Sequence, residues 1–142
     1  MCNNNQDCKC VSDILKVICI LQKKAKFEDC LNTCDKEFLG CCGCKCLCNT
    51  RPVQLFLICK NGDEPLIMPA TRNAITELTE FSNIFRVEKV DDCCATFRVL
   101  LLEENNNDND CPKYIATNSF FTLDLRCVCA IRCLDDTFVE IC

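Results

Sequence analysis

The feature that most constrains this chain is the run from Phe120 to Leu134, in which apolar and polar residues alternate. Its odd positions carry Phe121, Leu123, Leu125, Cys127, Cys129, Ile131 and Cys133, while its even positions include Thr122, Asp124, Arg126 and Arg132. Successive side chains of a strand point to opposite faces, so this pattern predicts one apolar, sulfur-rich face on a core and one polar face outward. The run is long for a single strand, which predicts a bend or bulge inside it.

The segments before it repeat the pattern. Val53, Leu55, Leu57 and Cys59 alternate with Gln54, Phe56, Ile58 and Lys60, and Asn61-Gly62 follows. Asn-Gly suits a turn whose central residues need positive φ, so residues 53–60 are expected to pair with about 64–68. Ile84 to Val90 reads as a strand broken by Asp91-Asp92; Cys94 to Leu102 reads as the next, with Ala95, Phe97, Val99 and Leu101 on one face. Asn105 to Asp110 is a solvated loop without the glycine and terminal glutamate of an EF-hand, and Tyr114 to Thr117 adds another strand. Residues 74–81 fit a short helix or an edge segment equally well. Several short strands with little helix predict a mainly β, antiparallel β-sandwich or jelly-roll-like assembly domain over residues 51–142.

Residues 1–50 read as a cysteine-rich arm containing one amphipathic helix over about 12–26. Ser12 is placed to cap it, Asp13 suits its positive end, Ile14, Leu15, Ile18 and Leu21 follow at helical spacing, and Lys23, Lys24 and Lys26 suit its C-terminal end. The stretch before it reads as mobile, and Cys30 to Thr50 reads as a loop or linker.

With 142 residues the chain is long enough for one domain with a real core, so its 19 cysteines are not needed to replace one. A net charge of -5 argues against nucleic acid and anionic membrane as partners, which need a basic footprint. No stretch reaches the length of a membrane span, and nothing at Met1 to Asp7 reads as an export signal. Dense cysteine without an export signal is a conflict of compartments. Metal-bound thiolates, buried inert thiols, or oxidation only after release from the cell would each resolve it.

The thiols divide by setting. Cys59, Cys93, Cys127, Cys129 and Cys133 lie on apolar strand faces and are expected to be buried core thiols, since free Cys packs as a small hydrophobe. Cys2, Cys8, Cys10, Cys41, Cys42, Cys44, Cys46, Cys48, Cys94 and Cys142 lie on arms, loops or polar faces, where a thiol is accessible for disulfide exchange or cross-linking. Cys127 and Cys129 sit about 7 Å apart along a strand with parallel side chains, too far to bridge each other. Because 19 is odd, at least one thiol cannot pair within the monomer, and intermolecular bonds are the economical expectation. The single Cys41-x-x-Cys44 and the absence of His give little to build a metal site on. A cytosolic Cys-only zinc or iron-sulfur module stands as the alternative. No metal, cofactor or catalytic residue is assigned: the commonest general base is missing, and Ser12, Ser82 and Ser119 lack a nucleophile-elbow context.

Two groups of residues bear a specific resemblance. Phe85-Arg86-Val87-Glu88, Asp91-Asp92, Cys94-Ala95 and Arg98-Val99-Leu100, with Leu123-Asp124-Leu125, Cys127, Cys129-Ala130-Ile131 and Cys133-Leu134, resemble the CotY/CotZ/ExsY family of spore coat and exosporium proteins over Arg51 to Asp136. The resemblance implies a non-enzymatic, self-assembling shell protein, made in the mother-cell cytoplasm of an endospore-forming bacterium. It also implies homo-oligomers, hexamers among them, in ordered two-dimensional lattices cross-linked by disulfides, with other spore coat proteins as possible partners. Mother-cell lysis would expose the finished layer to oxidant, which fits the compartment conflict. Members of the family often carry histidines near the N-terminus, and this chain has none.

Overall fold

A computed structural model describes residues 8–29, 48–60, 63–71, 80–103 and 114–141. In chain order these form the helix α1 (Lys9–Asp29) and the strands β1 (Val53–Leu57), β2 (Met68–Pro69), β3 (Phe81–Ser82), β4 (Ile84–Asp91), β5 (Cys94–Leu102), β6 (Tyr114–Asp124) and β7 (Val128–Cys133). Short 3-10 turns follow β1, at Ile58–Lys60, and separate β6 from β7, at Leu125–Cys127. The expected class is observed: mainly β with antiparallel pairing and one N-terminal helix. A five-stranded sheet runs β6-β5-β4-β1-β7, and β2 pairs with β3 in a second, two-stranded sheet.

The founding run of the sequence is two strands, not one. β6 and β7 lie at opposite edges of the five-stranded sheet, yet only Leu125–Cys127 stand between them. In a flat sheet those edges would be about 19 Å apart, at roughly 4.8 Å per strand. Four Cα steps reach at most about 14 Å, and less through a 3-10 turn. The sheet must therefore curl until its two edges approach at this corner. Asp124 caps the turn by accepting the Arg126 N–H at 3.0 Å, and Leu125 is turned fully into the core.

The concave side holds the core. Phe85 of β4, Phe97 of β5 and Phe121 of β6 form an aromatic triangle, with centroids 4.9 Å apart for Phe85–Phe121 and 5.3 Å for Phe97–Phe121. Both separations suit the edge and offset geometries that aromatic quadrupoles favour. Val53, Leu55, Val87, Ala95 and Val99 extend the same buried cluster. The alternation of β5 holds through Val99 and then shifts, because the β5–β6 register slips between Arg98 and Leu100 and buries Leu100 as well.

α1 lies across β4 and closes this core with Leu15, Ile18 and Cys19. It begins earlier than expected: the Ser12 N–H already bonds the Cys8 carbonyl at 2.8 Å. Ser12 is therefore inside the helix and is not its cap; its hydroxyl instead donates to the Asp92 carbonyl at 2.7 Å. The side-chain amide of Gln22 donates to the Val87 carbonyl at 2.7 Å, fixing the helix to the same strand near its other end. Ile14 and Leu21, expected on the packing face, point outward with Val17 and Ile20. The helix thus has two apolar faces, and only one of them meets the sheet.

The hairpin expected after β1 is much reduced. Pro65 makes one isolated bridge to Phe56 and the Leu66 N–H bonds the Leu55 carbonyl at 2.7 Å, while β4 and β7 are the true neighbours of β1. Asn61-Gly62, most of the Cys30 to Thr50 tract, the Asn105 to Asp110 loop and most of residues 74–81 lie outside the described residues.

Candidate cross-linking surface

The β4–β5 turn is Asp92-Cys93, with Asp92 at φ 55°, a region that Asp enters more readily than most residues. Three contacts pin this turn. The Ser12 hydroxyl reaches its carbonyl at Asp92, the Leu125 N–H donates to the Cys93 carbonyl at 2.7 Å, and Cys93 forms a disulfide with Cys8 at a Cα separation of 5.7 Å. The helix start, the hairpin tip and the β6–β7 corner are thus tied at one point. Cys8 was expected to be accessible on a mobile arm. It is buried, because the helix starts beside it and carries it onto the hairpin tip. Cys93 is half-buried and bonded rather than a free packing thiol.

Three further core expectations are overturned. Cys59, Cys129 and Cys133 are all exposed. Cys129 faces Leu57 and Phe56 at a bulge: Phe56 pairs with Ala130 and Leu57 with Val128, so Cys129 is the extra residue and leaves the strand's alternation. Its thiol lies 3.3 Å from the Phe56 carbonyl. Cys133 stands in register with buried Val53, on the core side of β7, but it is the last residue of an edge strand and remains exposed there. Cys59 lies in the 3-10 turn that ends β1, beyond the sheet. Cys127, the fifth of this group, is half-buried.

Of the thiols expected at the surface, Cys10 is exposed on the outer side of α1, Cys94 is exposed at the start of β5, and Cys48 is half-buried. Cys2, Cys41, Cys42, Cys44, Cys46 and Cys142 lie outside the described residues. Cys19, which the sequence reading left unassigned, is buried and directs its thiol to the Glu88 carbonyl at 3.4 Å.

Guanidinium groups accompany several of these sulfurs. Arg126 is held above its ordinary pKa by its hydrogen bonds to Asp124 and by the charge of that carboxylate. Asp124 is correspondingly held below the usual carboxylate value by the Arg126 side chain and N–H. Arg51 is raised first by its hydrogen bonds to Asp136, at 2.7 and 2.9 Å, with Cys133 also contributing. Cys94 stands opposite Asp124, the partner of Arg126, in the β5–β6 register, and Cys133 stands opposite Val53, two residues from Arg51.

Beneath this surface lies a polar network that the sequence reading missed. Arg86 is 3 % exposed, and it donates to Glu88 at 2.8 Å, to the Thr50 hydroxyl at 2.9 Å and to the Asn49 carbonyl at 3.3 Å. Glu88 also accepts from Arg98 at 2.9 Å, and the Arg98 guanidinium sits 4.5 Å above the Phe120 ring. Arg86 and Arg98 are directly opposite in the β4–β5 register, so one carboxylate separates two like charges. Asn49 in turn bonds both the Val139 carbonyl and its N–H, anchoring the C-terminal segment. The signal available was the pair Arg86-x-Glu88 facing Arg98 across a short turn, at positions on the polar side of two predicted strands.

Among the described residues no group of three or more His, Cys, Asp or Glu converges as a metal site, and no described helix is long and apolar enough to cross a membrane. A mainly β body, closed by a helix and a disulfide and bearing thiols on its helix, hairpin and edge strand, defines a cysteine-rich structural domain. The chain belongs to the spore coat protein Z family, whose model matches residues 1–136. No curated protein and no solved structure matches it. The match reaches well before Arg51, where the resemblance in the sequence began, and so includes α1. Membership gives the chain a structural role in the spore coat.

Proposed function

We propose that this chain is a self-assembling subunit of the outer spore layers, made in the mother-cell cytoplasm and locked after assembly by disulfides between copies. The observation that carries this reading is the distribution of thiols. Cys10, Cys59, Cys94, Cys129 and Cys133 are exposed on the helix, the turn after β1, the β4–β5 hairpin and the edge strand, while the described disulfide is internal. A thiol at the surface of an ordered neighbour meets its partner at high effective concentration, so oxidation converts a weak contact into one that requires reduction to break. The family resemblance favours hexamers in a two-dimensional lattice, in coat or exosporium; the partner is a second copy of the chain.

Electron microscopy of the purified protein, with and without reductant and denaturant, tests this. Ordered particles that dissolve only when both are present are expected. A variant with those five cysteines changed to Ser should still assemble but dissolve in denaturant alone. Equal resistance in that variant would transfer the role to other thiols, with replacement of Cys41, Cys42, Cys44, Cys46 and Cys48 by Ser as the matching experiment. A monomer that persists under oxidant would overturn the reading.

A further inference from the structure

Two exposed apolar surfaces are left without a partner in the described fold. The first is the outer face of α1, where Cys10, Ile14, Val17 and Leu21 recur at helical spacing, with Val17 56 % exposed. Over these twelve residues the stripe is about 17 Å long. One side of it carries Lys16 and Lys24 with Asp13 between them, all exposed, a border of net positive charge. The second is a groove of about 890 Å³ between the β2–β3 sheet and the far ends of β5 and β6. Ile67, Phe81, Leu102 and Ile115 line it, each about half exposed or more, and Glu80 and Glu103 also lie along it.

We infer that the outer face of α1 of one copy docks in the β2–β3 groove of the next, giving a head-to-tail contact between copies of this chain. Shape and charge both select this pairing. The helix face is convex and bordered by net positive charge; the groove is concave and lined by two glutamates. Pairing helix with helix would set lysines against lysines, and pairing groove with groove would set glutamates together. The mixed contact covers both apolar surfaces and sets the net positive border of the helix against the two glutamates of the groove. A chain cannot fill its own groove with its own helix, because Ser12 and Gln22 fasten the inner face of α1 to Asp92 and Val87. The groove opens at the other end of the β4–β5 hairpin, beside Ile84 and Leu102.

This contact rests on the self-assembly reading and specifies its geometry. It is heterologous, so each copy offers one helix and one groove, and assembly continues until a ring closes or a filament extends. It also carries the exposed thiol of Cys10 toward the neighbour.

The test is a mixing experiment in reductant, read by light scattering and analytical ultracentrifugation. Val17→Asp spoils the helix face and leaves the groove; Phe81→Asp does the reverse. Both positions are exposed, and far-UV circular dichroism with a thermal melt checks that each variant folds. Wild type should form large particles and each variant should stay monomeric. An equal mixture should give a discrete heterodimer, because the one intact groove accepts the one intact helix and the remaining faces are blocked. Zero-length carbodiimide coupling of isotope-mixed wild type should join Lys16 or Lys24 of one copy to Glu80 or Glu103 of another. Assembly of Phe81→Asp with loss in Val17→Asp would show helix pairing with helix, and would overturn the contact. Loss in Phe81→Asp alone would mean that the groove holds something other than this helix, and variants that both assemble or a mixture that stays monomeric would equally overturn it. A monomeric wild type would instead sink the self-assembly reading itself.

Discussion

Replacing Glu88 by Ala removes the carboxylate between Arg86 and Arg98 and leaves the buried Arg86 guanidinium without its counter-charge. Breaking a buried ion pair by deleting one partner costs about 3–5 kcal/mol. Two facts place this case at the low end. Arg86 keeps its bonds to Thr50 and Asn49, and the Glu88 side chain is 19 % exposed, so water can partly replace it. The expected loss is about 3 kcal/mol, or roughly 10 °C in Tm for a chain of this size. Thermal unfolding should be compared at one protein concentration, because assembly stabilises the folded state, and without reductant, so that the Cys8–Cys93 bond is intact in both samples. High salt should narrow the difference only slightly, because both arginines are largely out of reach of the ions. Glu88→Gln, which keeps the size but not the charge, should fall between wild type and Glu88→Ala. A loss below about 1 kcal/mol, the value of an exposed pair, would refute the claim that this carboxylate holds a buried network.

The internal disulfide closes a separation of 85 residues, for which the chain-entropy model gives about 4.5 kcal/mol. Cys93→Ser should therefore melt well below wild type, and reductant should lower the wild type by clearly more than it lowers the variant. Leu15→Ala should cost about 3 kcal/mol in chemical denaturation and Val17→Ala less than about 0.5 kcal/mol, because only the first side chain is in the core. If the two costs are alike, the orientation assigned to α1 is wrong. Asp124 should titrate below the ordinary aspartate value of 3.8 in an NMR acid titration, and Arg126→Gln should return it upward. The sign follows from linkage: a depressed folded-state pKa gives a stabilisation present above the ordinary value and lost as pH falls through the folded one.

Local pattern was enough for much of the fold. The alternation of Ile84 to Val90 and Cys94 to Leu102, broken at Asp91-Asp92, maps almost residue for residue onto β4 and β5. The apolar spacing from Ile14 to Leu21 announced a helix, and the motifs around Glu88 and Leu123 pointed to the spore coat family. The candidate surface was far less legible. Periodicity marked Cys59, Cys129 and Cys133 as facing a core. It could not show that β7 is an edge strand, that a bulge turns Cys129 out, or that Cys59 lies past the end of β1. Nor could it show which of two apolar helix faces meets the sheet, or that Cys8 lands on a turn 85 residues away.

What the sequence determined by itself is the local character of α1, β1, β4 and β5, because side-chain direction along a strand or helix depends only on neighbouring residues. What the tertiary structure decided is where each element's faces end up. The run from Phe120 to Leu134 is divided between the two edges of the sheet because its halves pair with β5 and β1, segments distant in sequence. A side chain is buried only if some other element covers it, and that covering is set by long-range pairing that no local period encodes.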